Sequence, residues 1–224
     1  MSTLRSVRNF ATDPGKNAAN NVFDGQIERG AGQTIRAALW SSDLQGFTTI
    51  SDEVPRDQLL EMVNAYFECI VQSVHKYGGN VLKFMGDGVL AIFDKGSDEL
   101  STCAALHVAE HLRRQISELT SDRRNKGLPA TGLYLGLHLG EVYCGNVGSP
   151  SRVDFTVTGP AVNEVSRIEG MCRTMNKDIV ISQDFADKLG IESVKLTSLG
   201  THNLGGVSRD NELFTMESFG TLLC

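Results

Sequence analysis

Gly79-Asn80-Val81-Leu82-Lys83-Phe84-Met85-Gly86-Asp87-Gly88-Val89-Leu90-Ala91-Ile92-Phe93-Asp94 is the stretch whose reading decides the fold. Two apolar-rich runs flank Gly86-Asp87-Gly88, and the glycines give a tight reversal its backbone freedom, so the stretch predicts a β-hairpin. Asp87 then stands at the tip of a hydrophobic hairpin, a costly place for a carboxylate unless a cation or donor meets it. Lys83 is equally out of place in a pure core strand. Upstream, Ile35-Arg36-Ala37-Ala38-Leu39-Trp40-Ser41-Ser42-Asp43 reads as a strand ending on a second aspartate, with Gly46 soon after. Two carboxylates ending neighbouring strands, with little else to neutralise them, point to hard divalent cations.

Working outward, Pro55 opens a long helix in which Leu59, Met62, Val63, Tyr66, Phe67, Ile70 and Val74 recur every three or four residues as one apolar stripe. Gly78-Gly79 stops it. Ser97 is placed to cap a second helix, with Ala105, Val108, Ala109, Leu112, Ile116 and Leu119 as its stripe. Strand, helix, hairpin, helix is half of a ferredoxin-like βαββαβ layout, so the class is α+β. His107 and His111 lie four apart, but the glutamate of H-E-x-x-H is out of place and no third ligand is in view. A solvated face is the better reading than a zinc pair. Asp122 to Gly127 reads as a solvated loop.

From Thr131 the pattern turns to strands, with Leu133, Leu135, Leu137 and Leu139 alternating against Gly136 and His138. Gly140 to Gly148 continues as a glycine-punctuated extended segment, for which a bent edge hairpin is one reading on glycine chemistry alone. A strand rather than a helix follows Gly148, which excludes a dinucleotide loop. Val153 to Val157 is a short strand, and Gly159-Pro160 starts a helix with proline in its first turn. On it Val162, Val165, Ile168 and Cys172 take one side, while Asn163 and Arg167 share another. A helix N-terminus favours phosphate, and Arg167 adds a forked donor. The tail gives a strand over Asp178–Ser182, a short helix around Phe185 to Leu189, and further strands over Val194–Thr197 and Asn211–Met216 that enlarge the sheet.

The 224 residues allow one domain with a sizeable core. A formal net charge of −6 argues against a nucleic-acid partner. No apolar stretch approaches the roughly 18 residues of a membrane helix, and Met1 to Arg5 leads into no signal-peptide core. Cys69, Cys103, Cys144, Cys172 and Cys224 form no C-x-x-C pair, so free thiols in a cytoplasmic protein are expected. Residues 1–33 are polar and lack an apolar period, which reads as a linker or arm ahead of one domain over residues 34–224.

Three blocks carry a resemblance. Ser42-Asp43-Leu44-Gln45-Gly46-Phe47-Thr48 is similar to the S-D-I-x-G-F-T signature of class III nucleotide cyclases, and Lys83-Phe84-Met85-Gly86-Asp87 to their K-F-x-G-D hairpin. Phe155 to Gly159, then Val162-Asn163-Glu164-Val165-Ser166-Arg167, resembles the third, a strand followed by a V-N-x-x-x-R helix. The resemblance runs in family order from about Ile35 to about Ser218. It implies the cyclase fold, a ferredoxin-like core with extra C-terminal strands and helix. It also implies a homodimer with two sites at its interface, the Gly140–Gly148 region being the arm that reaches the partner subunit. In the family a segment like residues 1–33 often joins a sensor domain, which this chain does not contain.

By the same resemblance the substrate is ATP and the product cyclic AMP, with two Mg²⁺ (or Mn²⁺) ions per site. Asp43, Asp87 and the Leu44 carbonyl hold the metal. Backbone N–H groups of Gly46, Phe47 and Thr48 cradle phosphates. Arg167 meets charge on the α-phosphoryl group and Asn163 fixes the ribose. Lys83 and Thr156 complement the acceptor N1 and donor N6 of adenine; guanylate cyclases carry an acidic residue at the Lys83 position. Near the C-terminus the family has a basic residue in L-[KR]-G, and here Gly205 stands in its place, leaving Arg152 or Arg209 to substitute. That departure keeps a non-catalytic nucleotide-binding regulatory domain as a second reading. A diguanylate cyclase is disfavoured because its hairpin needs a second acidic residue beside Asp87.

Overall fold

The computed structural model describes residues 32–149, 152–189, 194–207 and 209–219. The arm expected over residues 1–33 lies outside these, except that Gly32 and Gln33 already belong to the first strand. The elements are β1 (Gly32–Leu44), α1 (Phe47–Glu53), α2 (Arg56–Lys76), β2 (Asn80–Met85), β3 (Gly88–Phe93) and α3 (Asp98–Asn125). There follow β4 (Leu133–Ser149), β5 (Arg152–Thr158), α4 (Pro160–Met175), β6 (Ile179–Ser182), α5 (Gln183–Ala186), β7 (Val194–Asn203) and β8 (Asp210–Phe219).

The strands form one mixed sheet in the order β2-β3-β1-β4-β6-β8-β7, with β5 folded back on the far end of β4. The first four are mutually antiparallel in the ferredoxin-like order, and β6 joins β4 in parallel. This is the expected α+β layout.

Alternation along β1 sorts two cores. Ala38, Trp40 and Leu44 face Met62, Tyr66, Ile70 and Val74 of α2 and Leu106, Ala109 and Leu112 of α3. Ala37 and Leu39 face the other way, with Leu90, Ile92 and Val142, against Ala161 and Val165 of α4. So α4 lies on the opposite face of the sheet from α2 and α3. Covered on both sides, β3 is wholly buried, whereas β2 is an edge strand whose Lys83, Phe84 and Met85 are exposed. Phe84 keeps one contact, stacking on Phe67 at 4.8 Å between ring centroids.

Ser97 caps α3 as expected, its hydroxyl accepting from the Leu100 N–H at 3.2 Å. The solvated loop expected over Asp122–Gly127 is instead largely the last turn of α3. Arg123 is buried there, donating at 2.8 Å to each Glu61 carboxylate oxygen. His107 and His111 pack against the Tyr77 ring, each 5.8 Å away. Cys69, Cys144 and Cys172 are free thiols, but Cys103 is disulfide-bonded, against the expectation for the set. Among the described residues no helix is long and apolar enough to cross a membrane.

Candidate active site

The β1–β3 pairing sets Ser42 opposite Val89, so the end of β1 lies beside the start of β3. Gly88 makes this approach possible: a Cβ there would stand 2.6 Å from the Ser42 carbonyl oxygen and 3.5 Å from Asp43 Oδ1. Gly86, at φ 67°, turns the hairpin in the left-handed region that glycine tolerates best. Asp43 and Asp87 are thereby brought within hydrogen-bonding reach of each other. Burial, and after it the neighbouring Asp87 charge, pushes the Asp43 carboxyl up to about 6, with Arg173 pulling the other way.

Sequence reading missed a third carboxylate. Glu169, one turn beyond Val165 on the sheet-facing side of α4, is raised to about 7 by burial and then by Asp43; Arg173 opposes, and Asp87 adds to the rise. Gly136 lets the helix sit this close, since a Cβ on it would lie 2.6 Å from the Glu169 amide nitrogen. The legible signal was a charged residue continuing the spacing of Ala161 and Val165. Three carboxylates and a backbone strand end are a hard-oxygen donor set, which fits Mg²⁺ or Mn²⁺.

The elevated Asp43 pKa makes a prediction. Without a cation, ionising Asp43 destabilises the native state, because the folded protein holds its proton more tightly than the unfolded chain. Lowering the pH from 7.5 to 5.5 is expected to begin recovering that loss, most of which returns between the folded value of about 6 and the unfolded 3.8, and Mg²⁺ to raise Tm more at pH 7.5 than at 5.5. Asp43→Asn should reduce both dependences in a thermal melt, the remainder belonging to Glu169, which titrates in the same window; a variant with the full wild-type pH slope would show that Asp43 contributes none of it.

Gly46 caps α1 at φ 66°, and Phe47 and Thr48 open that helix, where N–H groups lack intrahelical acceptors. The turn is held from behind: Gln45 N–H donates to Gly132 O at 3.0 Å, and Gln45 Nε2 to Leu133 O at 3.1 Å and Asp178 Oδ1 at 2.9 Å. Leu44 is fully buried opposite Leu133.

Asn163 and Arg167 are elsewhere. They line a cleft of about 510 Å³ with Thr158, Gly159, Gly206 and Arg209, and neither Asp43 nor Asp87 belongs to it. The reason is helical: Asn163 and Arg167 are offset from Val165 and Glu169 by two residues, about 200° around α4. A Cβ on Gly206 would lie 3.0 Å from the Arg167 guanidinium, whereas Gly205 faces open space. Arg209 enters the cleft from the β8 side, bridging Glu164 (3.4 Å) and Asp184. Beneath them, buried His138 sits 3.4 Å from Glu164 and bonds Ser182 Oγ at 2.8 Å. His138, Glu164 and Asp184 thus cluster tightly enough to hold a metal, though Arg209 already neutralises the two carboxylates. Lys83 is exposed on the edge strand β2, and Thr156 is half-buried on β5 opposite Gly145. The side chain of Arg152 lies outside the described residues.

This combination of sheet, paired aspartates and V-N-x-x-x-R helix has known relatives. Residues 32–218 match the family model of the adenylate and guanylate cyclase catalytic domain, and the chain belongs to that family. It is 32% identical over 163 residues to the adenylate cyclase of Anabaena cylindrica, covering 73% of this chain and 32% of that one. The adenylyl cyclase CyaB from P. aeruginosa superposes with a TM-score of 0.79 at 25% identity, over 87% of this chain and all of that one. The guanylyl cyclase Cya2 gives 0.76 at 26% identity, over 85% and 95%. The chain spans about a third of the length of the curated adenylate cyclases it matches.

Proposed function

We propose that this chain is an adenylate cyclase domain that converts ATP to 3′,5′-cyclic AMP and pyrophosphate at two sites shared across a homodimer. The observation that carries the reading is the separation on one chain of two complementary half-sites. Asp43 and Asp87 form a carboxylate pair short of positive charge. The cleft of Asn163 and Arg167 offers an amide and a guanidinium and lacks those two aspartates. A head-to-tail pair of identical chains closes each half with the other.

Asp43, Asp87 and the Leu44 carbonyl would hold two Mg²⁺ or Mn²⁺ ions. Those ions, when bound, lower the pKa of the ribose 3′-hydroxyl and neutralise the triphosphate. The N–H groups of Gly46, Phe47 and Thr48 orient phosphate oxygens. From the other chain, Asn163 fixes the ribose so that its 3′-oxygen lies in line with the α-phosphorus, and Arg167 stabilises charge gathering on the α-phosphoryl oxygens as the bond to pyrophosphate breaks. Arg209, in the same cleft, would meet the outer phosphates that Gly205 cannot contact by exchanging its Glu164 and Asp184 partners for them. Lys83 donates to adenine N1 and the Thr156 hydroxyl accepts from N6.

The test is turnover of ATP and GTP with Mg²⁺ or Mn²⁺, resolving cyclic mononucleotides from dinucleotides. ATP is expected to be preferred. Lys83→Glu with Thr156→Cys should move the ratio of kcat/KM toward GTP by a few kcal/mol, about 10²-fold, because glutamate accepts from guanine N1 and N2. A single Lys83→Glu that leaves the ratio untouched would remove lysine from base reading. Nucleotide binding with no turnover would select the regulatory reading instead.

A further inference from the structure

A second recess lies on the other face of the sheet, between α3 and the starts of β4 and β6. It encloses about 530 Å³, within the range of small-molecule sites. Its floor is apolar, with Leu112, Ile116, Leu135 and Ile179. Its rim is a polar ladder along α3: Arg113, Ser117, Ser121 and Arg124 follow one another at spacings of four, four and three, so all four stand on one side of the helix. Arg113 and Arg124 are about 16 Å apart along the helix axis.

The charge of this recess is opposite to that of the chain. The protein carries −6 overall, yet the ionisable residues at the recess are two arginines and one aspartate. That aspartate, Asp178, already accepts from Gln45 Nε2 at 2.9 Å. The Arg124 guanidinium has no ion-pair or hydrogen-bond partner among the described residues. An elongated apolar floor with an unanswered cation at its rim complements a molecule that is apolar along its length and anionic at one end.

One wall of the recess is Gln45, between the Leu44 and Gly46 of the candidate metal and phosphate turn. Gln45 is tightly held: a Cβ on Gly132 would lie 2.2 Å from its Oε1, and its main-chain carbonyl accepts from Thr131 Oγ1. A ligand whose anionic end competes with Asp178 for the Gln45 Nε2 donor, or that presses on Gln45, therefore acts on a segment whose next residues are the turn itself. We propose that this recess is an effector site for a small amphipathic organic monoanion, such as an alkyl carboxylate, and that occupancy alters turnover through Gln45.

Binding can be tested on the full chain with 8-anilinonaphthalene-1-sulfonate as the fluorescent probe and dodecanoate as the competitor. Wild type is expected to bind one dye per chain saturably, and dodecanoate to displace it. Ser117→Trp, which fills the recess from its exposed rim, and Arg124→Glu, which reverses the free cation, should each weaken binding about tenfold or more. Arg114→Glu, one residue outside the ladder, should bind as wild type. Unsaturable binding, or equal binding by wild type and both recess variants with unchanged circular dichroism, overturns the site. If Ser117→Trp fails to fold, Arg124→Glu decides, since its side chain lies at the surface.

The effector half rests on the cyclase reading, and the binding half does not, so a chain without turnover still gives a binding result. Dodecanoate at saturation should change wild-type kcat at least about twofold and leave Ser117→Trp unaffected. Dye displacement with unchanged turnover overturns the effector role.

Discussion

Asp43→Ala and Asp87→Ala are each expected to fold and to lose turnover on the order of 10³-fold, the scale seen when one electrostatic contact to a phosphoryl transition state is removed. The fold should survive because each substitution removes a carboxylate that the native state must hold beside another. Asp43, already pushed up to about 6, relaxes that repulsion when it is lost. In metal-free buffer Asp43→Ala should therefore melt no lower than wild type at pH 7.5, while the stabilisation by Mg²⁺ shrinks. Steady-state rates at saturating ATP, with a thermal melt on the same samples, check both halves. Near-normal activity of Asp87→Ala would end the two-ion assignment.

The second large effect is recovery rather than loss. A chain carrying Asp43→Ala and Asp87→Ala should be inactive alone, as should one carrying Asn163→Ala and Arg167→Ala. Mixed in equal amounts with free exchange, half of the dimers contain one of each. In a mixed dimer one site collects every defect and the other none, so about a quarter of wild-type activity should return. Specific activity of the wild type should also fall on dilution through the dimer dissociation constant. No recovery, with exchange demonstrated by a labelled subunit, would place the whole site within one chain.

Much of the fold was legible because its signals were periodic. The leucines of β4 alternate cleanly, the stripe of α2 recurs at helical spacing, and Pro160 begins α4 where proline is best tolerated. What escaped had no period to read. Helix α1 is short, with only Phe47 and Ile50 packing on the core, so it is hidden inside the phosphate-turn motif. Strand β7, expected only over Val194–Thr197, runs on to Asn203 through a register shift between Ser198 and Gly200, the glycine lying at φ 87°. The paired apolar runs of the hairpin looked alike in sequence, yet one is a buried inner strand and the other a sheet edge; only the strand order separates them.

The site divides the same way. Asp43 and Asp87 stood out as charges at the ends of apolar strands, a cost visible in the sequence itself. Glu169 joins them through the crossing of α4 over Gly136, a tertiary contact between residues 33 apart. The assembly of His138, Glu164, Asp184 and Arg209 likewise draws on β4, α4, α5 and the residue just before β8 at once.

The β2–β3 hairpin carries Lys83 on its edge strand and Asp87 at its tip, four residues apart on one stiff ribbon. In the shared arrangement these two side chains work in opposite catalytic centres, one reading a base and the other holding metal. The ribbon is then a rocker between the two centres: any tilt that withdraws a carboxylate from one also moves a lysine in the other. A partner that twists the two subunits by a small angle would change both centres in the same stroke, so the natural output of such a dimer is paired switching rather than independent tuning of each site.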